Sequence, residues 1–288
     1  MIVKRLHIIS VLLIAMTQAL CLPSCINEND SMCVQFDVGH QLVDTTGTVL
    51  PDSLAGRLKA YLYLDSKFSN IVTASSDGRF QISFYKNSAA SLVFIASPKN
   101  SSNIELTEPK VGDNISDYAL SVNTVSGFDD FYYGRFDYTP NSSDSIWQPV
   151  TDMGNMRAHV HVLVRELNTV FGSSGTYSVK LSGLRSSLTF AGKTDGDSIT
   201  ATPAVAFLEN GDLISDKVST WPTKTGESVT LSILKDGNLI WKSDLDSSGK
   251  AVTLSAGDNK VFLVDCSQMK LNITVLAWDK YTQNLTFY

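Results

Sequence analysis

The sequence is poor in the residues and motifs that most often carry chemistry. It has four histidines and four cysteines among 288 residues. It contains no Walker, G-x-G-x-x-G, H-E-x-x-H or C-x-x-C motif, and each absence argues against one class of nucleotide-binding, zinc-dependent or dithiol enzyme. We therefore predict no cofactor, no metal site and no catalytic residues.

An excess of basic residues is also lacking. The chain has 23 basic and 29 acidic side chains, and its first 24 residues hold Lys4, Arg5 and no acid. Without those residues the chain is more acidic still and repels phosphate backbones, which argues against nucleic acid as a partner. After the N-terminus, no apolar stretch is long enough to span a bilayer.

The N-terminus predicts export. Lys4 and Arg5 precede the mostly apolar stretch 8–16, which is too short to cross a hydrocarbon core of about 30 Å and is typical of a signal peptide. Leu22-Pro23-Ser24-Cys25 resembles a bacterial lipobox. We expect residues 1–24 to be a lipoprotein signal peptide, cleaved between Ser24 and Cys25. A diacylglycerol on the Cys25 sulfur and the tether 25–33 would then hold the protein on a membrane. The alternative is an ordinary secretory signal in which Cys25 is unmodified.

The rest of the chain predicts strands. From Val34 onward, apolar and polar residues alternate in short runs separated by turn signals such as Asp77-Gly78 and Asn210-Gly211. The inward positions of four such runs are Leu58, Ala60, Leu62 and Leu64; Phe80, Ile82 and Phe84; Ala158, Val160, Val162 and Val164; and Val229, Leu231 and Ile233. Helical patterns are brief, near residues 54–58 and 164–171. We predict an all-β fold of two tandem β-sandwich domains with little helix, residues 34–150 and 155–288.

Two pairs of residues have more than one interpretation. His159 and His161 share a strand face and could hold a metal, but Arg157 lies on the same predicted face and disfavours a cation, so a polar strand face is preferred. Cys33 and Cys266 can form a disulfide after export or stay as buried thiols in apolar strands.

Three segments, in order, resemble one protein family. The lipobox Cys25 is followed by an acidic spacer and by Cys33, which opens the alternating strand Val34-Gln35-Phe36. Phe131-Tyr132-Tyr133-Gly134 precedes the Arg157–Val162 strand, and Asn272-Ile273-Thr274-Val275 with Trp278 closes the chain. The pattern resembles the FimB-type fimbrial anchor subunits (minor fimbrium anchoring subunits) of Bacteroidales, which carry type V pili. Val34 replaces the family's usual proline and Ala277 its frequent glycine, which leaves an accessory or tip fimbrial subunit as an alternative.

The resemblance implies two transthyretin-like, Greek-key β-sandwiches, no catalysis, and a lipid-anchored place in the outer membrane, at the base of a fimbrium and exposed on the cell surface. It also implies a fimbrial shaft subunit as the partner, joined by strand exchange. Because the lipid ties down the N-terminal strand, we expect the anchor to donate residues 271–288, with Ile273, Val275 and Ala277 filling pockets on the shaft subunit. The alternative is that this segment closes its own sandwich.

Two other functions stay open at the level of the sequence. A surface lipoprotein that binds polysaccharide would need exposed aromatic platforms, for which the candidates are Trp147, Trp221, Trp241 and Trp278. A hydrolase would need paired carboxylates, for which the candidates are Asp129, Asp130 and Asp137.

Overall fold

The computed structural model describes residues 33–54, 56–97, 105–121, 130–140, 148–268, 271–279 and 281. The predicted signal peptide and lipid site, with Ser24 and Cys25, lie outside these residues. The predicted all-β class is confirmed. Within the described part, no helix combines the length and the apolar character needed to cross a membrane.

The strands, in chain order, are β1 (Cys33–Val43), β2 (Val49–Leu50), β3 (Arg57–Leu64), β4 (Lys67–Val72), β5 (Phe80–Tyr85), β6 (Ala90–Ser97), β7 (Glu105–Leu106), β8 (Tyr118–Ser121), β9 (Tyr132–Tyr138), β10 (Val150–Asn155), β11 (Ala158–Arg165), β12 (Tyr177–Thr189), β13 (Thr194–Ala201), β14 (Val205–Phe207), β15 (Leu213–Ser215), β16 (Val218–Thr220), β17 (Thr230–Lys235), β18 (Asn238–Ser243), β19 (Asn259–Asp265) and β20 (Ile273–Ala277). A short α-helix, α1 (Leu167–Phe171), follows β11, and a 3-10 turn covers Asp52–Leu54.

The first sandwich is organised around β1. Residues 33–38 of this strand pair antiparallel with β5, and residues 39–43 pair parallel with β10. The larger sheet has the order β2-β1-β10-β9-β6-β3-β4. The predicted inward residues of β5, Phe80, Ile82 and Phe84, are buried in one core with Leu92 and Phe94 of β6. The alternation in the sequence therefore places the core side of β5 correctly.

The second sandwich has two sheets that enclose one core. One has the order β14-β15-β11-β19-β20, with β16 also on β11, and the other has the order β18-β17-β12-β8-β7, with β13 also on β12. The core contains the predicted inward residues of β11 and β17: Ala158, Val160, Val162, Val164, Leu231 and Ile233. The Asn210-Gly211 turn joins β14 to β15 as a hairpin, as the sequence predicted.

A further apolar cluster joins the two sandwiches. Tyr61 and Tyr63 of β3 point away from the first core and pack with Phe190 and Trp221 of the second half. The Tyr133 hydroxyl donates a hydrogen bond of 3.0 Å to the carbonyl of Phe190. The hairpin of β7 and β8 pairs with β12 and so crosses the predicted division of the chain. The boundary between residues 150 and 155 stays a prediction.

Candidate functional site

The predicted tether enters the first sandwich at the end opposite the second. Cys33, the first residue of β1, pairs with Tyr85, and Val43, its last residue, pairs with Gly154 just before the second sandwich begins. At about 3.3 Å per residue, the 11 residues of β1 span roughly 35 Å between these ends.

β1 is an integral part of the fold. Phe36, Val38 and Leu42 are buried in the first core, and the strand has hydrogen-bonded neighbours on β5, β10 and β2. On its outward side, the Arg79 Nε donates to an Asp37 carboxylate oxygen at 2.8 Å. Removal of β1 would expose those side chains, at roughly 1.5–3 kcal/mol each, and would break both ladders.

The predicted donor positions lie in the last described strand of the chain. β20 pairs antiparallel with β19, from Ile273 opposite Val264 to Ala277 opposite Lys260. Ile273 is completely buried and Val275 packs against the same core. β20 is the edge strand of its sheet, and its other side meets the rest of the described chain through a bridge between Asp246 and Ile273. In the single chain, the segment thus closes its own sandwich, and its donation to a partner remains a prediction.

The chain after β20 folds onto the outer face of the same sheet. The Trp278 ring stacks on His161, with centroids 4.0 Å apart and an interplanar angle of 20°. Tyr281 is 5% exposed and is buried together with Leu163 and Val261, which belong to β11 and β19. Burial lowers the pKa of His161 from its ordinary value of 6.5, so its ring is uncharged at neutral pH and offers a flat apolar face to the tryptophan.

Tyr281 lies on the other side of the junction from Cys33. β11 starts at the junction of the two sandwiches and ends at Arg165. The charges of Arg165 and Asp212 both act on the Tyr281 hydroxyl, whose pKa is raised chiefly by burial. Cys33 and Tyr281 therefore lie on opposite sides of the junction, toward the two poles of the molecule, which suits a molecule that joins two objects.

A polar network lies at the junction of the sandwiches. His159 contacts the Ser219 hydroxyl through Nδ1 at 2.9 Å and the Asp130 carboxylate through Nε2 at 3.2 Å. The Asn155 side chain donates a second bond, of 2.8 Å, to the same Asp130 oxygen. The hydrogen bond with His159 is the main reason that the pKa of Asp130 is lowered from its ordinary value. The network links the irregular segment just before β9 to β11, the first strand of the second sandwich.

The residue types of this network are those of a hydrolase triad, but its geometry does not suit catalysis. Ser219 is completely buried, so no substrate reaches its hydroxyl. The carboxylate cluster expected for a hydrolase is dispersed, because Asp130 precedes β9 while Asp137, near the end of β9, is held by Ser91 and Arg135. Asp129 lies outside the described residues. In the described part of the chain, no group of three potential ligands is arranged to hold a metal.

Arg157 and Trp221 occupy positions that the sequence did not predict. Arg157, expected on the same strand face as the histidines, has a fully buried side chain with its guanidinium 4.5 Å from the Trp221 ring centroid. Trp221 is 1% exposed and packs edge-on against Phe131 at 5.6 Å. It cannot serve as a sugar platform, and Trp147 lies outside the described residues.

The two cysteines of the described chain are not joined by a disulfide. Cys33 opens β1 at one pole, while Cys266 follows β19 in the second sandwich. Burial raises the pKa of the Cys266 thiol to about 11, which makes it a poor nucleophile at neutral pH. Of the two interpretations left open by the sequence, the structure supports separate thiols.

Sequence reasoning missed the role of Trp278, Tyr281 and Tyr61. The alternation rule assigns one buried face to each strand, whereas β3 is buried on both faces and the Tyr281 side chain lies beyond the last strand. A usable signal was the spacing of Trp278 and Tyr281, three residues apart, which places two aromatic rings on one side of a helical turn.

Comparison with protein-family models identifies one family. The sequence model for fimbrillin-A associated anchor proteins Mfa1 and Mfa2 matches residues 52–284. No curated protein sequence gives a match.

Solved structures show a similar fold at low sequence identity. The fimbrial anchor protein Mfa2 from Porphyromonas gingivalis is 14% identical, with a TM-score of 0.59 over 85% of this chain and 98% of that one. A putative polysaccharide binding protein from Bacteroides thetaiotaomicron is 13% identical, with a TM-score of 0.58 over 85% and 96%. A putative adhesin from the same species is 13% identical, with a TM-score of 0.53 over 85% and 97%. These likenesses establish the shared β-sandwich fold.

The family model covers most of the chain, from residue 52 to beyond the closing strand β20, and leaves out only β1 and β2 of the described strands. The members of this family are anchor proteins of cell-surface fimbriae. The chain belongs to the family of fimbrillin-A associated anchor proteins, Mfa1 and Mfa2.

Proposed function

We propose that this protein is the outer-membrane anchor of a fimbrium, held by a lipid on Cys25 and joined to the first shaft subunit by strand exchange. The observation that carries the proposal is the position of the chain's two described ends. Cys33 lies at the end of β1 away from the junction, and Tyr281 lies on the sheet of the second sandwich, on the other side of the junction. Tension between membrane and shaft would then run through the whole length of both sandwiches.

The proposed lipid attachment is supported by the strand that the tether enters. The tether from Cys25 to Cys33 leads directly into β1, which pairs with β5 over its first half and with β10 over its second half and contributes to the first core. A pull on the lipid therefore acts along a strand whose backbone bonds must break together. The same arrangement argues against the removal of β1 to open a groove for an incoming strand.

Replacement of the lipidated residue tests the anchoring. We expect Cys25→Ala cells to shed whole fimbriae into the medium, with fimbrial length altered. The matched control is Cys21→Ala, since Leu20 before Cys21 makes it a weak lipidation site. Whole fimbriae that stay attached in the Cys25→Ala strain would contradict the proposal, and loss of a tip component alone would indicate an accessory or tip subunit.

The proposed strand exchange uses the C-terminal segment from residue 271 onward. Donation by Ile273, Val275 and Ala277 themselves requires β20 to leave β19, and Ile273 would leave a position that is completely buried. Donation by residues 282–288 leaves β20 in place. We favour the second form because that segment alternates apolar Leu285 and Phe287 with polar residues and because its use leaves the second core intact.

An engineered disulfide lock between β19 and β20 distinguishes donation by β20 from donation by residues 282–288. Lys260 and Ala277 are direct partners on β19 and β20, so the pair Lys260→Cys and Ala277→Cys can tie the strands together. We expect cells with the oxidised lock to keep their fimbriae and cells that lack residues 282–288 to lose them. Each single cysteine variant is the control. Loss of fimbriae on oxidation, restored by reduction, would instead identify β20 as the donor.

A further inference from the structure

The apolar cluster outside β11 and β19 has no role in closing the second core. Its buried members are Leu163, Val261 and Tyr281. They lie on the face opposite Val162 and Phe262, which belong to the core, because successive residues of a strand point to opposite faces. The cluster exists because the chain after β20 folds back over this face.

The direction of β20 makes this cover mechanically relevant. β19 runs parallel with β11, away from the junction, and β20 runs back toward it, so Ala277 ends near the junction opposite Lys260. If Ala277 is pulled away from the junction, the direction of the force is opposite to the direction in which β20 runs, and the chain must turn back on itself at Ala277. The backbone bonds between β20 and β19 would then be loaded one at a time, starting with the Lys260–Ala277 pair, and the strand would peel away.

The chain beyond Ala277 changes that geometry. Trp278 is stacked on His161, and Tyr281 is buried between β11 and β19 close to Arg165 and Asp212. His161 is itself held by a contact of 3.2 Å between its Nδ1 and the Ser215 carbonyl. A force applied beyond Tyr281 acts first on these packed rings. The rings must slide across the sheet before the force reaches Ala277.

We propose that Trp278 and Tyr281 form a clasp that passes tension from a partner to β11 and β19 and protects β20 from peeling. The clasp rests on the proposed function, since it has a use only if a partner holds the chain beyond Tyr281. It assigns a mechanical role to two aromatic residues that lie outside both sandwich cores.

Single-molecule pulling on the purified chain tests the clasp without a fimbrium. The molecule, in a Cys33→Ser background, is held at its N-terminus and pulled from a cysteine added after residue 288. With the clasp unmodified, we expect the pulling trace to show no early extension step. The Trp278→Ala/Tyr281→Ala variant should show an early low-force step, as residues 267–281 come free, of roughly 50 Å at about 3.3–3.6 Å per residue.

Two comparisons exclude a merely structural explanation. A handle on Ala277→Cys bypasses the clasp with both aromatic residues in place, and we expect β20 to peel at low force even though the protein is otherwise unaltered. His161→Phe keeps a flat ring under Trp278 and should retain the clasp. In His161→Ala the clasp should open at a lower force. Leu239→Ala, at a 54% exposed residue of β18, is the control for loss of an apolar side chain.

The clasp is wrong if the Ala277 handle and the C-terminal handle give the same first step, or if the double variant behaves as the parent does. These results would leave the proposed function intact. Fimbriae that remain attached after deletion of residues 282–288 would refute donation by those residues while leaving the pulling result unchanged.

Discussion

At the scale of single residues, the Asp130 carboxylate makes the junction sensitive to acid. Its pKa is lowered chiefly by the hydrogen bond with His159, so the charged form is favoured in the folded protein. Its contribution to stability is present above the ordinary pKa of 3.8 and is lost as the pH falls through the lower, folded value.

We expect Asp130→Asn to reduce the free energy of unfolding at pH 7 by about 1 kcal/mol, a charge-assisted bond discounted for a half-exposed side chain. Urea unfolding at pH 7 and at pH 2 measures this. The difference from the parent should shrink as the pH falls, because the carboxyl group becomes protonated first in the unfolded state and then in the folded state. Glu209→Gln, in an exposed turn, should have no such effect. A loss that is equal at both pH values would contradict the assignment.

The residues that the sequence identified correctly are those with one buried face. Val160 and Val162 alternate with His159 and His161, and the valines are in the core as predicted. Arg157 and Trp221 were not identifiable, because their burial depends on a contact between distant parts of the chain. Local periodicity carries no information on such contacts.

At the scale of elements, β20 is the strand whose role matters most for the proposed exchange. We expect Ile273→Ala to lower the stability of the isolated protein by about 2–5 kcal/mol, since a completely buried isoleucine leaves a cavity in the core. Thr274→Ala, on the opposite face of the strand, should cost less than about 1 kcal/mol. Chemical denaturation of the purified variants measures both. Equal, small effects would mean that β20 is loosely held and free to be donated.

The elements also show the limit of reasoning from short patterns. The turn at Asn210-Gly211 and the alternation of β5 were sufficient to predict a hairpin and an inward face. By contrast, β12 is one strand of 13 residues whose pairing is irregular. The pairing of β8 with β12 joins residues far apart in the chain, and strand partners of that kind are set by the folded sheet rather than by local sequence.

At the scale of the whole molecule, the junction decides whether the two sandwiches transmit tension as one body. We expect Trp221→Ala to cost about 3–5 kcal/mol, because the ring is 1% exposed and fills the space between Phe131 and Arg157. Calorimetry of the parent should show one unfolding transition, and the variant should show two. Trp241→Ala, at the partly exposed edge strand β18, should lower the temperature of the unfolding transition without splitting it into two. A single, unshifted transition in Trp221→Ala would contradict the coupling.

Fold class and family were accessible from the sequence because they depend on patterns spread over the whole chain. The positions of the two ends were not, since they follow from the parallel pairing of β1 with β10 and of β11 with β19. Those pairings place Cys33 and Tyr281 at opposite poles, and the proposed function depends on that placement.

Photo-crosslinking from the two poles of the protein in living cells tests this most directly. A photoreactive amino acid is placed at Asn284, close to the C-terminal end, or at Tyr85, the 59% exposed partner of Cys33. We predict that irradiation links position 284 to a fimbrial shaft subunit and that position 85 gives no such product. Crosslinks to the shaft from position 85 and none from position 284 would contradict the account.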